Sequence, residues 1–275
     1  IMSLPVNKTY KLYIGGKFPR TESGRYFPAH DVNMCRASRK DFRNAVVAAR
    51  AAFGGWAGRS AYNRGQILYR LAEVLEGRSA QFVDELKSQG LSAKAAATEV
   101  RSSIDCLVYY AGWADKVQQV FSAVNPVASS HFNFSMLEAT GVVTVIAPNS
   151  SGLHGLVSTI APAICGGNVV IALASDKLPL CAITFAEVVH ASDVPGGVVN
   201  ILTGHRDELL PHIGKHMDVN AVVLAEPKGS QAADLQVLAA DNMKRVIAFG
   251  PVDDHNPYRV LDLCETKTTW HPVGL

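Results

Sequence analysis

The second half of the chain predicts an α/β fold, a doubly wound parallel sheet, and three observations carry that expectation. Short runs rich in Val and Ile recur at 142–147, 169–172, 198–202, 221–224 and 246–249. Helical spacing fills the intervals, around 153–165, 179–191, 207–216 and 229–240, so strand and helix alternate as in βαβ units. The runs are near-continuous rather than alternating, which is how strands covered on both faces read.

The first half is expected to form a helical layer. Residues 10–28 combine apolar runs with Gly15-Gly16, Ser23-Gly24 and Pro28, the punctuation of a small β-hairpin. Ser38-Arg39-Lys40-Asp41 has the form of a capping box, followed by Phe42, Val46, Ala49 and Phe53 at helical spacing, with a stop expected at Gly54-Gly55. Ile67, Leu68, Leu71, Val74 and Leu75 mark a second helix, and Phe82, Val83 and Leu86 a third. Ala97, Val100, Ile104 and Leu107, continuing from Ala111 through Val120, mark a long one. After Asn125-Pro126, residues 131–137 alternate loosely in the manner of an exposed strand.

Composition narrows the function classes. The 275 residues carry 26 Lys+Arg against 24 Asp+Glu and are 48% hydrophobic, a balance that excludes a disordered chain. Charges of both signs are interspersed, so no basic stripe points to nucleic acid or an anionic membrane. The longest apolar stretches, 141–147 and 169–174, fall short of the roughly 20 residues of a spanning helix. Ile1-Met2-Ser3 shows no secretory pattern. Five cysteines at 35, 106, 165, 181 and 264 lack the spacing of a disulfide framework or zinc site, and a reducing, cytoplasmic compartment is expected.

Neither G-x-G-x-x-G after the first strand nor G-x-x-x-x-G-K-[ST] occurs. Gly166-Gly167 reads as a helix C-cap, and Gly196-Gly197 and Gly204 as turns. Cys165 lies on an apolar helix with no cation close in sequence and reads as a core residue. Cys264 has acidic neighbours expected to raise its pKa. His212 and His216 share the i, i+4 spacing of paired metal ligands, but without a third ligand they read as solvated surface histidines, and no metal is expected. No internal repeat or low-complexity tract is present.

Several segments together resemble NAD(P)-dependent aldehyde dehydrogenases, in order and at matching spacing. They are Glu138-Ala139-Thr140-Gly141-Val142-Val143, Ile146-Ala147-Pro148, Ala161-Pro162-Ala163, Gly167-Asn168-Val169-Val170, Pro195-Gly196-Gly197-Val198-Val199-Asn200 and Thr203-Gly204. Tyr13-Ile14-Gly15-Gly16-Lys17-Phe18, Ala48-Ala49-Arg50-Ala51-Ala52-Phe53, Trp56 and Tyr109-Tyr110-Ala111-Gly112-Trp113-Ala114 extend the resemblance to the opening hairpin and helical layer. It implies a Rossmann-like cofactor domain over 1–125 and 138–251, with a β-flap oligomerisation element over 126–137 and 258–275.

The departures from the family's pattern fall on its chemistry. A Pro-Trp-Asn turn, whose Asn helps stabilise the thiohemiacetal oxyanion, is here Pro148-Asn149-Ser150, with Ser150 at the Asn position. Lys-Pro-Ser-Glu, whose Lys and Glu hold the adenosine ribose, is matched by Leu173, Ala174, Ser175 and Asp176. The Phe-Thr-Gly-Ser turn at the pyrophosphate is replaced by Leu224-Ala225-Glu226-Pro227. At ~1–3 kcal/mol per lost charge-assisted hydrogen bond, three such departures are expected to weaken dinucleotide binding a thousandfold or more. The strand leading to the family's Glu-Leu-Gly-Gly places Phe249 at the general-base Glu. The chain then reaches Glu265-Thr266-Lys267-Thr268-Thr269-Trp270, which looks like the oligomerisation strand. A catalytic domain, on the order of 200 residues by usual domain sizes, is replaced by a linker at 252–257. With it goes the nucleophile, whose position neither Cys165 nor Cys264 matches.

A cofactor-like domain with an oligomerisation arm resembles the degenerate C-terminal module of two-domain family 16 aldehyde dehydrogenases, and Ile1 before Met2 fits a piece of a longer chain. The resemblance implies a non-catalytic module that serves assembly or stabilisation of an NAD-dependent aldehyde dehydrogenase. Its partner would be a second copy or a catalytic domain in the same polypeptide. A residual nucleotide-binding module and a divergent active aldehyde dehydrogenase are the alternatives. The cofactor expected is none, or weak NAD, with Ser175, Asp176 and Pro148 as candidate contacts.

Overall fold

The computed structural model describes residues 8–250 and 255–274. Ile1 to Ser3 and residues 252–254 of the expected linker lie outside them. The centre is a five-stranded parallel sheet of β5 (Val142–Ile146), β6 (Val169–Leu173), β7 (Val199–Leu202), β8 (Ala221–Ala225) and β9 (Arg245–Phe249), in the order β7-β6-β5-β8-β9. Every residue of the first four is buried, as their unbroken Val/Ile runs require, whereas β9 at the edge is half-covered. The expected doubly wound parallel sheet is therefore present, and its strands and helices fall close to their expected places. The crossover helices are α6 (His154–Cys165), α7 (Leu180–Ala191), α8 (Arg206–Lys215) and α9 (Gln231–Ala239).

The N-terminal helices complete the layers. α1 (Arg39–Ala57) lies against β5, β6 and β7 and touches α8, while α2 (Ala61–Gly77), α3 (Ser79–Ser88) and α4 (Ala93–Trp113) cover α6 and α7. The capping box of α1 forms as expected: the Ser38 hydroxyl accepts from the Lys40 and Asp41 N–H groups, and the Asp41 carboxylate accepts from the Ser38 N–H. α1 does not stop at Gly54-Gly55. It continues to Ala57 because Trp56, 1% exposed, packs into the core and donates its indole N–H to the Ile164 carbonyl at 3.0 Å. Tertiary packing outweighs the roughly 1 kcal/mol per glycine that propensity opposes. The long helix expected through Val120 breaks after Trp113, and α5 (Val117–Phe121) resumes in a new direction that stacks Phe121 on Trp113.

The opening hairpin also differs. Gly15 and Gly16, both at positive φ, make a two-residue turn that pairs Ile14 with Lys17, but Tyr13 bridges to Ile201 of β7. The regular hairpin comes later, as β1 (Tyr26–Ala29) and β2 (Val32–Cys35) around His30-Asp31, again both at positive φ. With no glycine in that turn, the sequence carries no strong sign of it.

A second sheet stands apart from the first. β4 (His131–Ala139) is flanked by β3 (Ala123–Asn125) and β10 (Cys264–Pro272), all antiparallel, with Cys264 opposite Ala139 and Pro272 opposite His131. Residues 258–261, expected in the flap, instead form the helix α10 (Tyr258–Leu261), whose Val260 is fully buried.

Two residues join the sheets. Asn168, fully buried, accepts from the Gly141 N–H at 2.9 Å and donates to the Leu263 carbonyl at 2.9 Å, tying the start of β5 to the root of β10. Gly141 has φ +132, and a Cβ there would stand 2.4 Å from the Asn220 side chain, so a larger residue does not fit. At the end of α6, Gly167 (φ +94) donates to Ile164 and Asn168 to Ala163, the paired bonds of a Schellman cap, as Gly166-Gly167 implied.

All five cysteines are buried. Burial pushes the Cys165 thiol up to about 12 and, as the largest cause, the Cys264 thiol up to about 11. At Cys264, burial rather than the acidic neighbours dominates, and Arg245 and Arg64 act the other way. Iodoacetamide at pH 8 should leave the folded chain unmodified and label all five thiols after unfolding in guanidinium. The thiols titrate near 9 when unfolded but higher when folded, so from pH 9 upward the folded chain holds more protons and stability falls. Lys244, lowered to about 8 by burial, acts oppositely between there and its ordinary 10.5. A pH series of chemical denaturation should therefore show the steep loss above about pH 10.5, where Lys244 no longer offsets the thiols.

Candidate functional site

In an open α/β sheet, ligands bind outside the carboxyl ends of the strands where the strand order reverses. Here the reversal lies between β5 and β8. Four loops meet there: 147–153 after β5, 174–179 after β6, 203–205 after β7 and 226–230 after β8.

Arg206, the first residue of α8, reaches into this crevice and is 5% exposed. Its guanidinium donates to the Ala147 carbonyl at 2.5 Å, beyond β5, and to the Ala225 and Glu226 carbonyls at 3.3 Å each, at the end of β8. Burial lowers its pKa, and Asp176, Glu226 and Asp207 oppose that shift. Glu226 stands at φ +49, strained for a residue with a side chain, with its N–H held by the Phe249 carbonyl at 2.9 Å. Ser150 is exposed and donates to the Glu226 carboxylate, so a second bridge spans the two loops.

The remaining candidate residues are brought together around Asn149. Ser175, buried, donates to the Asn149 Oδ1 at 2.9 Å and accepts from the Leu178 N–H at 3.0 Å, while the Asp176 N–H donates to the same Asn149 oxygen at 3.2 Å. Pro148 is buried against α6, where a Cβ on Gly155 would stand 2.3 Å from the Pro148 Cγ. Asn149 thereby fastens the loop after β5 to the loop after β6.

The N-terminus of α6, next to the same loop, is also occupied. Leu153 at the N-cap position supplies no side-chain hydrogen bond. Glu99, from α4, does so instead: its Oε1 accepts from the Ser151 hydroxyl at 2.7 Å, the Leu153 N–H at 2.8 Å and the His154 N–H at 3.2 Å. A carboxylate fits there because the exposed N–H groups and the helix dipole favour negative charge. Glu99 and Arg206 were not among the residues the sequence suggested. Neither has a local motif, since each acts on a loop far away in the chain.

Phe249 ends β9. Its ring lies under the Arg259 guanidinium, 3.8 Å from carbon to ring centroid, a cation–π contact. Phe249, Arg259, Ser158, Pro162 and Leu263 border a crevice of about 10 Å³, room for about one water. Val260 of α10 packs on the end of α6, with its Cγ1 3.1 Å from where a Cβ on Gly166 would be. Cys165 faces inward, its thiol 3.3 Å from the Tyr110 carbonyl. His212 and His216 are half-buried rather than solvated, and His216 packs edge-on against Phe42. Among the described residues, no group of three His, Cys, Asp or Glu side chains is arranged to hold a metal ion.

Comparison with known proteins agrees with this geometry. Residues 28–262 match the aldehyde dehydrogenase family. The chain is 32% identical over 248 residues to the cytosolic aldehyde dehydrogenase 1 of Elephantulus edwardii, covering 86% of this chain and 49% of that protein. It is 29% identical over 258 residues to the cytosolic 10-formyltetrahydrofolate dehydrogenase of Xenopus tropicalis, covering 90% of this chain and 29% of that protein. Among solved structures, PnpE from Pseudomonas sp. WBC-3 superposes with a TM-score of 0.83 at 25% identity, over 88% of this chain and 50% of that one. An aldehyde dehydrogenase from Burkholderia cenocepacia superposes with 0.82 at 26%, over 87% and 50%. The chain spans about half the length of the first two structures and of the Elephantulus enzyme, and it belongs to the aldehyde dehydrogenase family.

Proposed function

We propose that this chain is a non-catalytic member of its family, a module that assembles with or stabilises an NAD-dependent aldehyde dehydrogenase. The observation that carries the reading is the crevice between β5 and β8. Its carbonyls are taken by the chain's own Arg206, and its two loops are bridged by Ser150 and Glu226. A dinucleotide lying there would have to displace a buried cation and lie beside the carboxylates of Glu226 and Asp176. The residues present do not fit NAD: Glu99 already serves the α6 N-terminus, and Ser175 is committed to Asn149. Phe249, in the place the resemblance gives to a general base, is an apolar ring covered by Arg259.

The assembly role rests on the small sheet. β10 lies at its edge, pairing with β4 on one side alone among the described residues. Phe132 and Met136 of β4, Val124 of β3 and Trp270 of β10 are each exposed by 46–67%. An open edge beside apolar side chains is a surface that proteins otherwise cover, and strand addition is the economical way to cover it. The narrower likeness to the degenerate module of family 16 enzymes is consistent with this arm and with only residues 250–263 separating β9 from β10.

Purified protein should oxidise no short, long or aromatic aldehyde with NAD or NADP above a buffer control. Turnover that disappears on replacing Cys165 or Cys264 would overturn the reading. Calorimetric titration with NAD and NADP should give no saturable heat below about millimolar concentration. Micromolar binding would favour a nucleotide-binding module instead. The intact chain should self-associate through the arm, burying on the order of 1,000 Å² or more. Removing residues 266–275, which leaves buried Val260, Leu263 and Cys264 in place, should lower the mass seen by light scattering while the circular dichroism remains that of a folded chain. An unchanged mass would remove the arm from the proposal.

A further inference from the structure

At the end of α8 opposite Arg206, its last turn faces the first turn of α1 across a cleft of about 520 Å³. The lining residues are Arg39, Phe42 and Arg43 from α1, and Pro211, His212, Lys215, His216 and Met217 from α8 and the residues after it. The spacing explains the convergence. Arg39 and Arg43 are i, i+4 on α1 and His212 and Lys215 are i, i+3 on α8, so each pair lies on one helix face, and His216 follows at the end of α8.

The cleft carries positive charge that no ion pair among the described residues answers. Among the described residues, Arg39, Arg43 and Lys215 make no ion pair, and no carboxylate lines the cavity. The acidic groups nearby are mostly engaged elsewhere, and of them Asp218 also acts on His216. Asp41 accepts from Thr21 and Ser38, Glu208 pairs with Arg25 at 2.7 Å and Arg36 at 2.8 Å, Asp207 accepts from Gln231, and Asp218 pairs with Arg50 at 2.8 Å. Behind His216, buried Lys244 donates to the Gly214 and His216 carbonyls and adds another positive charge, which Asp241 partly offsets. The same charges make the two histidines poor metal ligands, because a divalent cation would be repelled.

We propose that this cleft binds a small organic phosphate. Three fixed cations suit a ligand carrying two or more negative charges, and the planar guanidinium forks match phosphate oxygens in pairs. The histidine rings supply further N–H donors, while Pro211 and Met217, over buried Phe42, form an apolar wall for the group that bears the phosphate. The volume falls in the range of small-molecule sites. It is independent of the crevice between β5 and β8 and does not rest on the assembly reading.

Titration calorimetry of the whole chain with pyrophosphate, phenyl phosphate and poly-glutamate tests it. The two phosphates should bind saturably at about millimolar concentration or below, more weakly as salt rises. The double substitution Arg43→Gln, Lys215→Gln should weaken them at least tenfold, and Lys17→Gln, on an exposed lysine elsewhere, should leave them unchanged. Both cleft residues are exposed, and an unaltered melting curve checks that the variant folds; Arg39→Gln serves in its place if it does not. Binding of pyrophosphate but not phenyl phosphate at raised salt would retain the anion site and remove the apolar wall from the proposal. Phosphate affinity insensitive to the cleft substitutions, or equally sensitive to Lys17→Gln, overturns it. So does cleft-dependent binding of poly-glutamate alone, which would make the surface a dock for an acidic chain.

Discussion

A buried guanidinium must have its charge and its donors answered by the protein around it, and the packing of Arg206 imposes that demand on the loops at the centre of the sheet. Three carbonyls at the ends of two strands accept from it. With each charge-assisted bond contributing about 1.5–3 kcal/mol, and loss of the guanidinium leaving those carbonyls unanswered, the loops after β5 and β8 are held where they are. The left-handed backbone of Glu226, the Ser150 contact and the Asn149 fastening lie in the same loops. Under the proposed reading, residues that in a ligand-binding sheet would wait for a partner are here satisfied by one another.

The same logic runs along α6. This helix, buried on nearly every side, has no cap of its own at its N-terminus and relies on a carboxylate delivered by α4. The helical layer is thus more than a cover for the sheet: it supplies the negative charge that the helix end attracts. At the other end of α6, the glycine cap hands the chain to Asn168, and through it to the small sheet. Under the proposed reading, the structural demands of the family's fold are kept while its ligand-facing positions have been turned to internal bonding.

Most of this architecture was legible in the sequence because its signals are local. Val/Ile runs bounded by glycine and proline located β5 to β9 within a residue or so, and Ser38 with Asp41 located the start of α1. What escaped depended on distant partners. Gly54-Gly55 looked like a stop until Trp56 found the Ile164 carbonyl across 108 positions of sequence. α10 was hidden in a segment whose Val, Leu and Trp suit a strand equally well. At the candidate site, Ser150, Ser175, Asp176 and Pro148 were findable from motif order. Arg206 and Glu99 were not, since a lone charged residue in an amphipathic helix reads as solvent-facing until the loop it answers is known. His212 and His216 failed similarly, because their spacing fixed a shared face but not what α1 places opposite it.

Under the proposed assembly reading, the clasp made by Asn168 bears on how the small sheet would meet another protein. β4 runs through Thr140 and Gly141 directly into β5, and the Leu263 carbonyl at the root of β10 is pinned to the same asparagine. The arm is therefore anchored at both strands to the middle of the rigid sheet rather than trailing on a flexible tether. Ordering a loose strand at the moment of association costs roughly 1–2 kcal/mol of backbone entropy per residue; an arm already ordered in the free protein escapes most of that loss. It is preorganised, and its orientation also limits the angles from which a partner can approach.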